Sequence, residues 1–526
     1  MSKAFFILVL HAHMPYVLDI RFENTLEERW LHEAVADCYL RLIQTFDRLM
    51  ADGIPFGLTI SLSPVLLAQL ENPLFIKRFI KYLNIQIDLT EKEIFRTRRV
   101  PELAPLALMY NGYYKDALRT FEERCNCDII QTFKSFQDIG ALEIITCTAT
   151  HGYLPLLRPA LSGIRAQVTV AKKEYKRIFG RTLSGLWLPE CGYYPGLDTF
   201  LLRAGIRYTF LDTHTIQSSQ PIPEYGVYAP IISPAGMVAF GRDVHAAKEV
   251  WSSTDGYPGD YDYRDFYRDI GFDLDLDYVG AYLPGEARSY TGLKYYRTKK
   301  DIGQNRIYLP EIAERKVSIH ADDFLAHRLK QVRDLSLSMG FPPVICALYD
   351  AELFGHWWFE GPLWLEMLFR KIFECGEYFT PVKPSDYLRQ KPILQRSQPP
   401  AGSWGWKGYN EVWVNEKNSW VYPHLFKAAE KMEALAVKSG WNVVEEKALN
   451  QAGKELLLAQ SSDWTFILHN ETLSEYATKR IKEHLGRFWK LIQQIETCAI
   501  KEDWLQEIEK QDNIFPSFDY KDFLYF

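Results

Sequence analysis

The stretch PVICALYDAELFGHWWFEGP (343–362) decides how the rest of the chain is read. It opens on an apolar run of the kind that fills a buried strand, and the run stops at Asp350. Glu352 follows, then Gly355, His356, Trp357, Trp358, Phe359 and Glu360. Ending a strand in carboxylates beside aromatic rings is a costly way to finish a core, because a buried carboxylate loses its hydration. Three readings of Asp350 compete: a catalytic acid, a metal ligand, or an acidic cap on the next helix.

The same design recurs along the chain. AFFILVL (4–10), FGLTISL (56–62), LEIITCT (142–148), SGLWL (184–188), IRYTFL (206–211) and GMVAFG (236–241) are short and apolar almost throughout. Strands buried on both faces of a parallel sheet read this way. Helical patterns lie between several of them, as in LEERWLHEAVADCYLRLIQTFDRLMADG (26–53) and VTVAKKEYKRIFG (168–180). Alternation of this kind predicts βα units, and seven candidate strands suggest an incomplete barrel. Residues 72–140 break the alternation with charge-rich helical sequence and are read as an inserted subdomain. Residues 242–335 combine an aromatic, acidic loop (251–269) with a helical end. QKPILQRSQPPAGS (390–403) reads as a linker. Beyond it the pattern is helical, and Thr472 with Glu475 signals the capped start of a long amphipathic helix.

Polar residues collect at the carboxyl ends of these runs: His11 and His13, Thr150 and His151, Glu190, Asp212 and His214, Asp243 and His245, Asp350 and Glu352. In a parallel barrel those ends converge on one mouth. A helix cap explains any one of them, but not the series, and histidine is a poor cap. Two chemistries fit. His11 and His13, two apart on a strand, face one side and could share a metal ion with Asp350, Glu190, Asp212 or His151. Alternatively, two carboxylates cut a glycosidic bond while histidines hold sugar hydroxyls. Trp187, Trp357 and Trp358 in the same motifs, and GSWGWKGYNEVW (402–413) after the linker, favour sugar over metal, because a metal site needs no such platforms.

Composition narrows the partners. The 526 residues are 47% hydrophobic and 24% charged, as in an ordinary soluble protein of two or three domains. The anomaly is 14 Trp, 31 Tyr and 31 Phe, which suits stacking on sugars as well as core packing. A net charge of −6 with no basic run argues against nucleic acid. The eight scattered cysteines are read as reduced thiols of a cytoplasmic protein. MSKAFFILVL (1–10) lacks a cleavage pattern and is read as a first strand, and no apolar run has the length of a membrane helix.

Five segments together resemble glycoside hydrolase family 57: HAHMPY (11–16), ATHGYLPLL (149–157), LWLPECGYYPG (186–196), ALYDAELFGHWWFEGP (347–362) and SWGWKGYNEVW (403–413). Length and the paired tryptophans of the fourth segment are most similar to members that branch 1,4-α-glucans. The resemblance implies an α/β fold: an incomplete (β/α)7 barrel (1–71 and 141–395), a helical insertion (72–140), and a C-terminal helical domain (396–526) that contributes tryptophans to the site. It implies a retaining mechanism without metal or cofactor, with Glu190 as nucleophile and Asp350 as acid/base. The substrate would be an α-glucan, both donor and acceptor, handled by a monomer. His11, His13 and His151 would bind hydroxyls at the cleavage point. Trp404 and Trp413, with Trp251, Trp30 and Trp357, would line subsites and exclude water. Asp212 and His214 would touch sugar or support residues that do. Cys191 is read as packing. Branching members carry a tyrosine on a mobile lid. The corresponding segment is taken as SPAGMVAFGRD (233–243), which has no tyrosine, so hydrolysis or 4-α-glucan transfer is the alternative activity.

Overall fold

A computed structural model describes residues 3–252, 256–285, 287–298 and 306–524. Strand β1 (Ala4–Ala12) lies at the centre of a parallel sheet. It pairs with β2 (Leu58–Leu62) and with β7 (Val344–Asp350), in a register that sets His11 opposite both Ser61 and Asp350. β3 (Leu142–Ile145) extends the sheet beyond β2, and β8 (Phe379–Pro381) pairs with the start of β1. A second sheet runs β4 (Tyr208–Leu211), β6 (Val238–Gly241), β5 (Ile231–Ile232), β9 (Gln395–Arg396). Six of the seven expected strands are present. The seventh, 184–188, makes only isolated parallel bridges, Gly185 to Tyr208 and Leu186 to Thr146, and these join the two sheets. A hydrogen bond from Asp243 N to Cys346 O (2.8 Å) joins them again on the other side.

Alternation along each strand explains where the site forms. Phe6, Leu8 and Leu10 of β1 pack outward in the large core under the helices. Ile7 and Val9 face the other way, into a smaller core with Ile145, Trp187, Phe210, Phe240, Cys346 and Leu348, drawn from both sheets. With a side-chain period of two, His11 continues the series Ile7, Val9, and Asp350 continues Cys346, Leu348. Both polar side chains therefore crown this inner apolar cluster.

The helical regions follow the pattern with local corrections. Thr25 caps the helix Leu26–Glu33, which runs through a π turn (Ala34–Tyr39) into Leu40–Ala51. Gly355 (φ +111°) lets the loop after β7 lie against that turn; a Cβ there would come within 1.8 Å of Asp37 O. Pro73–Thr97, Ala104–Arg119 and Ile129–Asp138 fill the 72–140 interval. Toward the C-terminus lie Val421–Ala436, Val443–Ala459, Ser462–Asn470, Ser474–Glu496 and Glu502–Gln511. The expected cap at Thr472 is absent: the helix begins at Ser474, and Leu473 stands at the cap position with no side-chain bond. The stretch 390–403 is no loose linker either. It carries β9, and Gln398 and Gly402 bridge to Gln220 and Tyr193. No described helix is long and apolar enough to cross a membrane.

Candidate active site

The three histidines form one stack against Trp187. The His11 ring lies 4.8 Å from Trp187 and 5.1 Å from His151, and His13 lies 3.9 Å from His151. His11 Nδ1 meets Ser61 Oγ (3.2 Å), and its Nε2 meets His151 Nε2 (3.0 Å). His13 Nδ1 meets Ser63 Oγ (2.9 Å), and its Nε2 meets Asp463 Oδ2 (2.9 Å). Burial, and then the neighbouring histidines, hold His11 and His151 well below the usual imidazole range, so both are neutral hydrogen-bonding groups.

Glu190 follows the bridging segment 184–188 in a left-handed conformation (φ 61°), as His151 does after β3 (φ 60°). Such backbone is costly for residues with a Cβ, and where it occurs it re-aims a side chain the surroundings can hold. Trp404 Nε1 donates to Glu190 Oε2 (2.7 Å), and Ser462 Oγ donates to Oε1 (3.4 Å). Ser462 Oγ also meets His151 Nδ1 (2.8 Å). Burial raises Glu190 to about 7; the Trp404 donor opposes this, and the charges of Asp350 and Asp463 add to it. Burial and Glu352 raise Asp350 to about 7 against the pull of Arg242 and His13. Burial likewise raises Glu352 to about 7, although it accepts from Tyr39 Oη and from His13 N. Three carboxyls thus sit at the mouth, poised to hold or release a proton near neutral pH.

The aromatic and supporting residues divide into distinct groups. Trp404 stands beside Trp187 (5.1 Å) and Trp251 (6.2 Å), with the Arg242 guanidinium over its ring. Trp251 is 45% exposed and free to present a face. Trp413 is not: it is 1% exposed and stacked on Tyr153 at 4.3 Å. The expectation that it touches sugar is corrected to packing, since it supports the loop at Gly405, where a Cβ would meet its ring. Trp30 packs edge-on against Tyr476. Trp357 is 54% exposed and stacks on Phe266. Asp212 holds His214 (2.9 Å), whose Nε2 meets Gly408 O (2.9 Å), so this pair clamps the loop that carries Trp404. The expected lid, 233–243, is a tight hairpin between β5 and β6, closed by Ser233 N to Met237 O. It turns at the start of β6, whereas Arg242 and Asp243 at the far end approach the site; it cannot cover Glu190.

Ser462 and Asp463 were not legible as site residues. They open a helix beyond position 460 with no strand end before them, and nothing in their local pattern marks them. Asp463 is held below the usual carboxylate range despite burial, because His13 beside it and the Ser461 hydroxyl favour its charge. His13, His151 and Asp463 also bring ligand-type atoms within 4.8 Å of one another, as do His11, Cys147 and His151. The His13 and His151 rings stack nearly parallel (14°), with His13 Nε2 engaged by Asp463 and His151 Nδ1 by Ser462. That geometry suits hydroxyl binding.

The profile Glycosyl hydrolase family 57 matches residues 7–398, and the profile 1,4-alpha-glucan branching enzyme, C-terminal, matches residues 424–523. A 1,4-alpha-glucan branching enzyme of Thermococcus kodakarensis is 30% identical, over 98% of this chain and 77% of its own. Among solved structures, the alpha-amylase AmyC of Thermotoga maritima superposes with a TM-score of 0.92 at 38% identity, covering 99% of both chains. A branching enzyme of the same family from Pyrococcus horikoshii gives 0.90 at 31% identity, covering 99% of this chain and 97% of that one. With a profile spanning most of its length, the chain belongs to glycoside hydrolase family 57.

Proposed function

We propose that the protein is a 1,4-α-glucan branching enzyme acting by a retaining mechanism. The observation that carries this reading is the reach of the C-terminal helices into the site. Residues 424–523 match the branching-enzyme C-terminal profile, and from within them Ser462 bonds Glu190 and His151 while Asp463 bonds His13. In this reading the two sheets and the bridging segment 184–188 form an incomplete (β/α)7 barrel over 1–71 and 141–395. Residues 72–140 form a helical insertion, and 396–526 the C-terminal domain.

Glu190, ionised with the help of the Trp404 donor, attacks the anomeric carbon of an α-1,4-linked glucose. Asp350 gives its proton to the departing O4, and a glycosyl ester on Glu190 remains. The 6-hydroxyl of a second glucan then attacks that carbon, its proton passing to Asp350, and the Glu190 carboxylate is released with a new α-1,6 bond. Neutral His11 and His151, with His13 held by Asp463, bind hydroxyls of the reacting sugar. Trp404 and Trp251 hold a glucan where water would otherwise enter, which matters because the acceptor must compete with solvent at about 55 M. Eight unpaired cysteines support a reducing, cytoplasmic setting, and the protein works as a monomer without metal or cofactor.

The likeness to AmyC favours one second reading, α-glucan hydrolysis at the same site. Linkage analysis of amylose treated with the protein separates the two. New α-1,6 bonds with little rise in reducing ends are expected; reducing ends rising in step with cleavage and no α-1,6 bonds would replace branching with hydrolysis.

A further inference from the structure

We infer that Trp357, Phe266, Tyr267, Tyr290 and Phe272 form a surface platform that holds a stretch of α-glucan outside the catalytic mouth; this rests on the proposed glucan chemistry. The five rings make one continuous patch. Trp357 stacks on Phe266 at 4.4 Å, Phe266 meets Tyr267 at 5.3 Å and Tyr290 at 6.0 Å, and Tyr290 meets Phe272 at 5.1 Å. Tyr267 is 71% exposed, Trp357 54% and Phe272 47%, so open ring faces remain. Exposing this many large rings together costs solvation, and a contiguous patch of this kind marks a place where something docks.

The patch is built, not incidental. From beneath, the Lys294 ammonium packs on Phe266 and Tyr290 and donates to Phe266 O. Asp269 fixes the strand of chain around Thr291 by accepting from Thr291 N, Thr291 Oγ1 and Gly292 N. The rings are therefore held in place without a ligand, which reduces the ordering cost of binding.

Two features commit the occupant to glucan. The first is continuity with the mouth: Trp357 N donates to Glu352 O, and the Glu352 carboxylate accepts from His13 N. Trp357 thus stands on the same loop as Glu352, whose carboxylate lies at the mouth. The second is chemistry: tyrosine hydroxyls stand among the stacking faces, giving the pairing of flat apolar surface and hydroxyl partners that a pyranose presents in return.

The test is retardation of the full-length protein in native gels containing glycogen, for the parent and for the Tyr267→Ala/Phe272→Ala double variant. Both side chains are exposed, so an unchanged melting temperature is expected to accompany a rise of about five- to ten-fold in the apparent Kd for glycogen. Single-site Tyr267→Phe, which keeps the ring, is expected to retain more than half of the parent's retardation. Equal retardation of parent and double variant, with the parent binding and branching amylose normally, overturns the platform and leaves the proposed function standing. Loss of concentration-dependent self-association in the variant, with retardation unchanged, overturns it in favour of a second copy as occupant. A parent that neither binds nor converts amylose removes the proposed function itself.

Discussion

Two clusters in this molecule bury histidine beside carboxylates, and they differ in what answers the charge. At the mouth, Glu190, Asp350 and Glu352 all rise to about 7, with Arg242 the guanidinium that opposes them at Asp350. In the C-terminal helices, Glu455, His484 and Asp512 are packed as tightly: His484 Nδ1 meets Glu455 Oε2 at 2.7 Å. There Arg487 bonds Asp512, Arg480 stands near, and Gln451 donates to Glu455 (2.8 Å). Burial raises Asp512 to about 7 and lowers His484 to about 3, so the shifts match those of the mouth. Perturbed titration alone therefore does not mark the catalytic site. The mouth has more carboxyls than cations and is walled by rings with open faces. The helical cluster is matched charge for charge and closed, and it ties the domain to the HAHMPY segment through Arg480 Nη2 to Tyr16 O (3.2 Å).

The largest effect separates the two clusters outright. Glu190→Gln and Asp350→Asn are each expected to lower kcat on amylose by about 10³-fold or more, since each removes a group that bonds or moves a proton in the transition state. The folded state should be at least as stable as the parent's, because a buried, mutually repelling carboxyl is gone. Glu455→Gln should leave kcat within about two-fold. A large kcat loss in Glu455→Gln, or near-normal turnover in Glu190→Gln, would reverse the assignment of the two clusters.

Stability gives the opposite ordering. Arg487→Met leaves Asp512 buried without its guanidinium, and breaking such a pair costs about 3–5 kcal/mol. Urea unfolding should show that loss, while turnover per folded molecule stays near the parent value. A cost under about 1 kcal/mol would mean that the helical cluster is not charge-matched as described.

Trp404 has the next largest effect. Trp404→Phe keeps a ring beside Trp187 but removes the donor to Glu190 Oε2. A hydrogen bond to a charged group contributes about 1.5–3 kcal/mol, so kcat should fall about 10- to 100-fold. Because that donor favours the carboxylate, the acid limb of the rate profile should also move to higher pH. A change in KM alone would make Trp404 a sugar platform and nothing more.

The contrast between the clusters also shows what could be read from the chain. Ile7–Val9–His11 and Cys346–Leu348–Asp350 repeat every second residue, so the strand period itself carried both polar groups to one end of one apolar core. Local pattern sufficed because each residue's direction was set by its own strand. It failed where direction came from elsewhere. Asp463 reaches His13 across 450 residues of sequence, from the first turn of the short helix Ser462–Asn470, which no strand run precedes. Trp413, inside a motif, turned inward because Tyr153 lies beneath it. The hairpin 233–237 was misplaced because β5 runs antiparallel to β6, which reverses the end at which its turn emerges.

The smallest effect tests the charge excess directly. Glu352 is the like charge that, after burial, does most to hold the Asp350 proton on. Glu352→Gln keeps an acceptor for Tyr39 and His13 N but removes that charge, so the Asp350 pKa should fall, and the alkaline limb of kcat/KM should move to lower pH by about one unit. Stability carries a second sign. These carboxyls have folded pKa values above their ordinary 3.8 and 4.5, so the native state holds more protons than the unfolded chain between those values and about 7. The stability they contribute is fully present below that window and is lost as pH rises through it. Removing Glu352 removes part of the loss, so the variant should gain on the parent in unfolding free energy between about pH 5 and about pH 8. The same experiment on Glu455→Gln should show a smaller gain, because Arg480 and Arg487 already answer that carboxyl. An alkaline limb that stays in place in Glu352→Gln, or equal gains at the two sites, would mean that the excess of carboxyls at the mouth does not set its proton.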